Sequence, residues 1–145
     1  MTTTDIVPAT FERILSNLNL KSIDSMDLHA TCSKDKIEPK EIEIQIDGDF
    51  GFKITDGAFV AQVSYKVTGT RKGDVVINIA AVYNVMYETM DEIPEDFPEI
   101  YKTNVAPQVT LPYFREWVQS ATCRMGIQPI MLPHLIFSHI PDSGT

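Results

Sequence analysis

Strict alternation of apolar and polar residues dominates the middle of the chain. Ile42, Ile44 and Ile46 alternate with Glu43, Gln45 and Asp47, the pattern of a half-buried strand. Asp47-Gly48 is a turn signal, after which Phe50, Phe52 and Ile54 resume the alternation. Asp56-Gly57 marks another turn, and Phe59, Ala61, Val63, Tyr65 and Val67 form the apolar side of the next strand, which runs through Thr68. GTRKGD, Gly69 to Asp74, closes a hairpin onto the longest run, Val75 to Glu88. One face of that run carries Val75, Ile77, Ile79, Ala81, Tyr83, Val85 and Tyr87; the other carries Val76, Asn78, Ala80, Val82, Asn84, Met86 and Glu88. Strands joined by such short turns pair antiparallel.

The flanks follow a different period. Pro8 to Leu18 places Phe11, Ile14, Leu15 and Leu18 at helical spacing behind a first-turn proline, which predicts a short helix. SNLNL also alternates, so an early start to the first strand competes with it. Residues 1–7 are expected to fray. Leu20 to Cys32 alternates poorly around Ile23, Met26 and Leu28 and predicts a strand with an irregularity. Asp91 to Pro107 is acidic and proline-dotted and is expected to be a connector with a helical turn around Glu95–Tyr101. A helix is predicted from Pro112 to Met125, with Tyr113, Phe114, Trp117, Val118, Ala121 and Met125 on one stripe. Gly126, Pro129 and Pro133 then interrupt an almost wholly apolar strap that runs to Phe137, too greasy for an ordinary surface loop.

The 145 residues suit one domain, residues 1–145. A formal charge of −8 repels nucleic-acid phosphates and anionic membranes, so neither is an expected partner. No apolar run is long enough to span a bilayer, the N-terminus lacks a secretory signal, and Cys32 and Cys123 are expected to be free thiols in a cytoplasmic protein. Catalytic constellations are missing: there is no GxSxG, P-loop, HExxH, CxxC or EF-hand loop, and His29, His134 and His139 are isolated. No enzyme activity, metal or cofactor is expected. Core packing explains Tyr83 and Trp117 well. Met131 and Phe137 lie in a segment without polar alternation, where a flexible methionine suits an adaptable binding surface.

The tail also carries a resemblance. Pro112-Tyr113-Phe114-Arg115-Glu116 is similar to the PYARE helix start of the SecB family of export chaperones, and Arg124 to Phe137 matches its RGGFPPLLLPPINF-like strap at Arg124, Gly126, Pro129, Leu132, Pro133 and Phe137. The resemblance implies an α+β fold, a four-stranded antiparallel sheet with helices packed on one face. It implies a homo-oligomer, a dimer of dimers with Trp117, Val118 and Ala121 in the interface. It also implies an ATP-independent holdase for unfolded polypeptides. Ile127, Pro129, Met131, Leu132 and Phe137 would then line the client groove, with Ile77 and Ile37 contributing from the sheet.

This chain departs from the pattern at Ile127, His134 and Ile136, and its sequence runs only eight residues past Phe137. The family's second helix is therefore not expected, and Pro8–Leu18 is a candidate to replace that lip of the groove. Family members pass clients to the SecA motor through acids on the outer sheet face. Asn78 and Ala80 stand there in this chain, which counts against that docking. Four readings follow, in this order: a general chaperone, a dedicated chaperone of one partner such as an antitoxin, a non-chaperone oligomeric scaffold, and last an enzyme or small-ligand carrier using a pocket near Tyr83 and His134.

Overall fold

Four alternating segments become four long strands in one antiparallel sheet. The computed structural model describes residues 8–33, 42–127, 130 and 132. In chain order they form α1 (Pro8–Asn17), β1 (Asn19–Cys32), β2 (Glu43–Thr55), β3 (Ala58–Arg71), β4 (Asp74–Glu88), α2 (Phe97–Asn104) and α3 (Ala106–Met125). The strand order is β1-β4-β3-β2, so β3 and β4 are central and β1 and β2 are edges. The architecture is the expected α+β arrangement.

The β3–β4 hairpin turns through Lys72 and Gly73, both at positive φ (51° and 85°), which matches the right-handed twist of the flanking strands. Asp47-Gly48 does not turn. β2 continues through it, with Asp47 opposite Lys66 and Gly48 opposite Tyr65, because unbroken pairing with β3 outweighs a local turn preference. A register shift at Gly69/Thr70 corrects a second expectation: Val76 joins Ile77 in the interior while Val75 is exposed. Gly69 leaves little room for a side chain: a Cβ there would lie 3.1 Å from both Ile42 Cγ2 and Ile77 Cβ, which would have to give by a few tenths of an ångström.

The register places Phe59, Ala61, Val63, Tyr65 and Val67 of β3 beside Tyr87, Val85, Tyr83, Ala81 and Ile79 of β4, all buried. α3 covers this pair of strands, presenting Pro107, Thr110, Leu111, Phe114, Val118, Ala121 and Thr122 along one side. It begins at Ala106, six residues before the expected start. Pro112 sits inside it and withholds the N–H that would meet the Gln108 carbonyl; exposed Gln108 leaves that carbonyl access to water. Phe114 stacks on Tyr65 with centroids 5.0 Å apart. Thr110 gives its one hydroxyl proton to the Ala106 carbonyl at 2.8 Å, so Tyr65 must be the donor in the 2.6 Å bond between their hydroxyls.

α2 packs Phe97 and Tyr101 edge-on to Phe59, at 5.5 and 5.1 Å. The Tyr101 hydroxyl lies 2.7 Å from that of Tyr87, and burial together with this bond raises the Tyr101 pKa. Gly126, left-handed at φ 74°, ends α3, and the Ile127 amide returns to the Thr122 carbonyl at 3.2 Å.

Phe59 touches four other rings and is fully buried, so Phe59→Ala should cost about 3–5 kcal/mol in urea unfolding. Burial, with Glu116 adding repulsion, pushes Tyr83 up to about 12 from 10.0. The unfolded chain therefore loses this proton first, and stability should hold below pH 10 and fall between 10 and 12. Urea unfolding repeated across that range checks the sign.

Candidate functional site

The helical layer covers the two central strands and leaves the edges partly bare. On β2 the residues facing the helical side are Ile44, Ile46, Gly48, Phe50, Phe52 and Ile54, paired in turn with Gly69, Val67, Tyr65, Val63, Ala61 and Phe59. Ile44, Phe52 and Ile54 remain 42%, 53% and 42% exposed. Phe50 is tucked further in, with its ring 6.1 Å from that of Tyr101, and Phe52 leans on Phe59 at 6.3 Å. An apolar strip thus runs along β2 and joins the interior aromatic cluster through Phe50 and Phe52.

The connector supplies the facing wall. Ile93, Pro94 and Pro98 stand across from Phe52 and Ile54, with Glu92 and Glu95 beside them, and together they enclose a concavity of about 580 Å³. Its floor is aromatic and aliphatic. The rim carboxylates are its only charged groups, so it suits an apolar side chain, with the acids available to a neighbouring cation. β2 pairs with β3 without a register shift from Glu43 to Thr55, which leaves its other edge regular. β1 has shifts at Leu20/Ser22 and Ser25/Asp27. Bulged edges resist pairing and regular ones invite it.

The expected groove residues fall in different places. Ile77 is 2% exposed, sealed where Ile42 and Gly69 meet, so it offers no surface to a client. Leu132 is also buried, at 6%, while Ile127 and Ile130 are half-buried against the core. Ile37, Pro129, Met131 and Phe137 lie outside the described residues, as does the expected fraying of residues 1–7.

Of the expected interface residues, Val118 and Ala121 are buried by the chain's own sheet. Trp117 is half-buried and donates its indole N–H to the Ala80 carbonyl at 3.1 Å. The outward side of α3 consists instead of Gln108, Pro112, Tyr113, Glu116, Gln119 and Cys123, so Tyr113 departs from the predicted inward stripe. Reading the sequence missed Phe52, Ile54, Ile93 and Pro94. For Phe52 and Ile54 the signal was the apolar side of β2, but alternation does not show which strands become edges; Ile93 and Pro94 sit in the acidic connector, where no period marks them.

The outer sheet face has another character. Its centre carries Val60, Gln62, Ser64, Lys66 and Thr68 of β3 beside Met86, Asn84, Val82, Ala80 and Asn78 of β4, with Gln62 donating to Asn84 at 3.3 Å and Asp47 of β2 opposite Lys66. Among the described residues no group of three His, Cys, Asp or Glu comes together to hold a metal, and no helix is long and apolar enough to cross a membrane.

No protein-family model matches the chain, and no curated protein sequence matches it. The fold is nevertheless that of the SecB-like chaperones. The chain superposes with a TM-score of 0.74 on the Mycobacterium tuberculosis Rv1957 SecB-like chaperone, solved in complex with a ChAD peptide from the Rv1956 HigA1 antitoxin. The match is 16% identical and covers 84% of this chain and 93% of that one. A protein of unknown function from Streptococcus agalactiae aligns over 80% of this chain and 96% of its own, with 8% identity and a TM-score of 0.43, too low to bear on function.

Because Phe52 and Ile54 are half-exposed, Phe52→Ser/Ile54→Ser should lower stability by about 2 kcal/mol, less than a fully buried pair would. The same pair should sharply reduce the fluorescence of a hydrophobic dye bound to the native protein. Unchanged dye binding would move the accessible apolar surface elsewhere.

Proposed function

We propose that this protein is an ATP-independent holdase of the SecB-like type, acting in the cytoplasm on unfolded or slow-folding polypeptide. The observation that carries this reading is the β2 strip: half-exposed Ile44, Phe52 and Ile54 beside an apolar concavity and a regular free strand edge. An extended client can place alternate side chains on the strip while its backbone bonds to the edge, which gives affinity without a fixed sequence. Each client side chain fully buried there contributes about 1.5–3 kcal/mol before ordering costs. Net charge of −8 helps keep a loaded complex soluble and favours basic client segments. The SecB-like fold supports the same reading, as does the absence from the sequence of any nucleophile or acid–base constellation.

Assembly into a dimer of dimers belongs to the proposal. Since Val118 and Ala121 are taken up by their own sheet, a second copy would meet the outward side of α3, around Tyr113, Glu116 and Gln119. Export through SecA is the weaker part, because Asn78 and Ala80 of β4 stand on the outer face, with Lys66 opposite Ala80, where an acidic docking surface is needed.

A dedicated chaperone of one partner is the second reading. It is favoured by the solved neighbour, which holds a peptide from an antitoxin. Pull-down from the native cell extract separates the two: many proteins for a general holdase, one dominant partner for a dedicated one.

The wild-type protein should delay aggregation of a chemically denatured client at stoichiometric ratio. Phe52→Ser/Ile54→Ser should weaken client binding by about 30-fold, since two half-buried side chains are worth about 2 kcal/mol together. A folded wild-type protein with no effect on aggregation would end the holdase reading.

A further inference from the structure

α1 is held almost entirely by side chains of the kind the groove is built to receive. Phe11 stacks on Phe97 with centroids 5.1 Å apart and planes at 28°, and Ile14 is 1% exposed. Phe97 meets Phe59 at 5.5 Å, and Phe59 meets Phe52 at 6.3 Å. A continuous run of rings therefore leads from α1 to the open strip on β2.

The helix has little of its own to sustain it. It has ten residues, with no acid in its first turn and no base in its last, so its dipole goes uncompensated. A helix this short is marginal in water and depends on what it packs against. The one side-chain tie from α1 to the rest of the chain among the hydrogen bonds resolved is Asn17 Nδ2 donating to Asp91 Oδ2 at 2.7 Å, and it is exposed.

We infer that α1 is a displaceable cover over Phe97, which lies behind the open strip with Phe59 between it and Phe52, and that α1 yields when an unfolded polypeptide binds. This inference rests on the β2 strip being the client groove. Displacement would bare Phe97 and lengthen the apolar surface open to the client. While docked, α1 would lower the apparent affinity by keeping Phe97 from the client.

Hydrogen exchange on the full chain tests it, with and without a reduced, carboxymethylated protein as a permanently unfolded probe. With the probe bound, the amides of Phe11 to Leu18 should exchange about tenfold faster while β3 and β4 stay protected. The variant Phe11→Ala should bind the probe about threefold more tightly. Unchanged or increased protection of α1 in the complex would overturn the inference, as would equal or weaker binding by a folded Phe11→Ala. If that variant does not fold, the exchange result on the wild-type chain decides alone. A wild-type chain that binds no probe sinks the holdase reading and this inference with it; a chain that binds while α1 stays protected sinks this inference only.

Discussion

Four strands spaced about 4.8 Å apart make a sheet roughly 19 Å wide, whereas one helix with its side chains covers about 10–12 Å. In this chain α3 lies over β3 and β4 and no equal helix lies beside it among the described residues. The centre of the sheet is therefore sealed and its edges are not. Phe59, Tyr65, Ile79 and Val85 are buried, while Leu20 and Leu28 on β1 and Ile44, Phe52 and Ile54 on β2 keep much of their surface in water. This shortfall in width is what leaves apolar sheet surface in contact with water.

A partly covered sheet works as a binding surface only if the covering layer holds its position. Two buried hydroxyl pairs help to fix it. Tyr65 bonds to Thr110 and anchors α3 to β3, and Tyr87 bonds to Tyr101 and anchors α2 to β4. Both are neutral, so they give direction to the packing without placing charge in the interior. With α2 held in this way, the connector that precedes it stands opposite Phe52 and Ile54 and the concavity keeps its shape.

Much of the fold was legible in the chain, and the places where the reading failed share a physical cause. Alternation located β3, β4 and the two halves of β2, while β1 was read from three apolar anchors in a segment that alternates poorly; helical spacing located α1 and most of α3, because those periods report burial directly. Asp47-Gly48 misled because a turn dipeptide states only a local preference, and thirteen consecutive residues of β2 pairing with β3 overrode it. Pro112 misled because a proline looks like a helix start, yet the helix tolerates it where the freed carbonyl can meet solvent. Of the site, Ile77 was expected to line a groove and is buried, while the apolar side chains left exposed are Phe52 and Ile54 on β2. Both strands show the same apolar period, and the difference between centre and edge is a property of strand order that no single segment contains. The loss of Val118 and Ala121 from the interface has the same origin: a stripe wide enough for two neighbours was filled by one.

The most direct test is a map of where an unfolded polypeptide touches the native protein, read from methyl and amide NMR shifts during titration. The edge-strip model predicts the largest changes at Ile44, Ile46, Phe52, Ile54 and Ile93, with little change at Val60, Val82 and Asn84 on the outer face. Changes concentrated on the outer face, or none at saturating client, would contradict it.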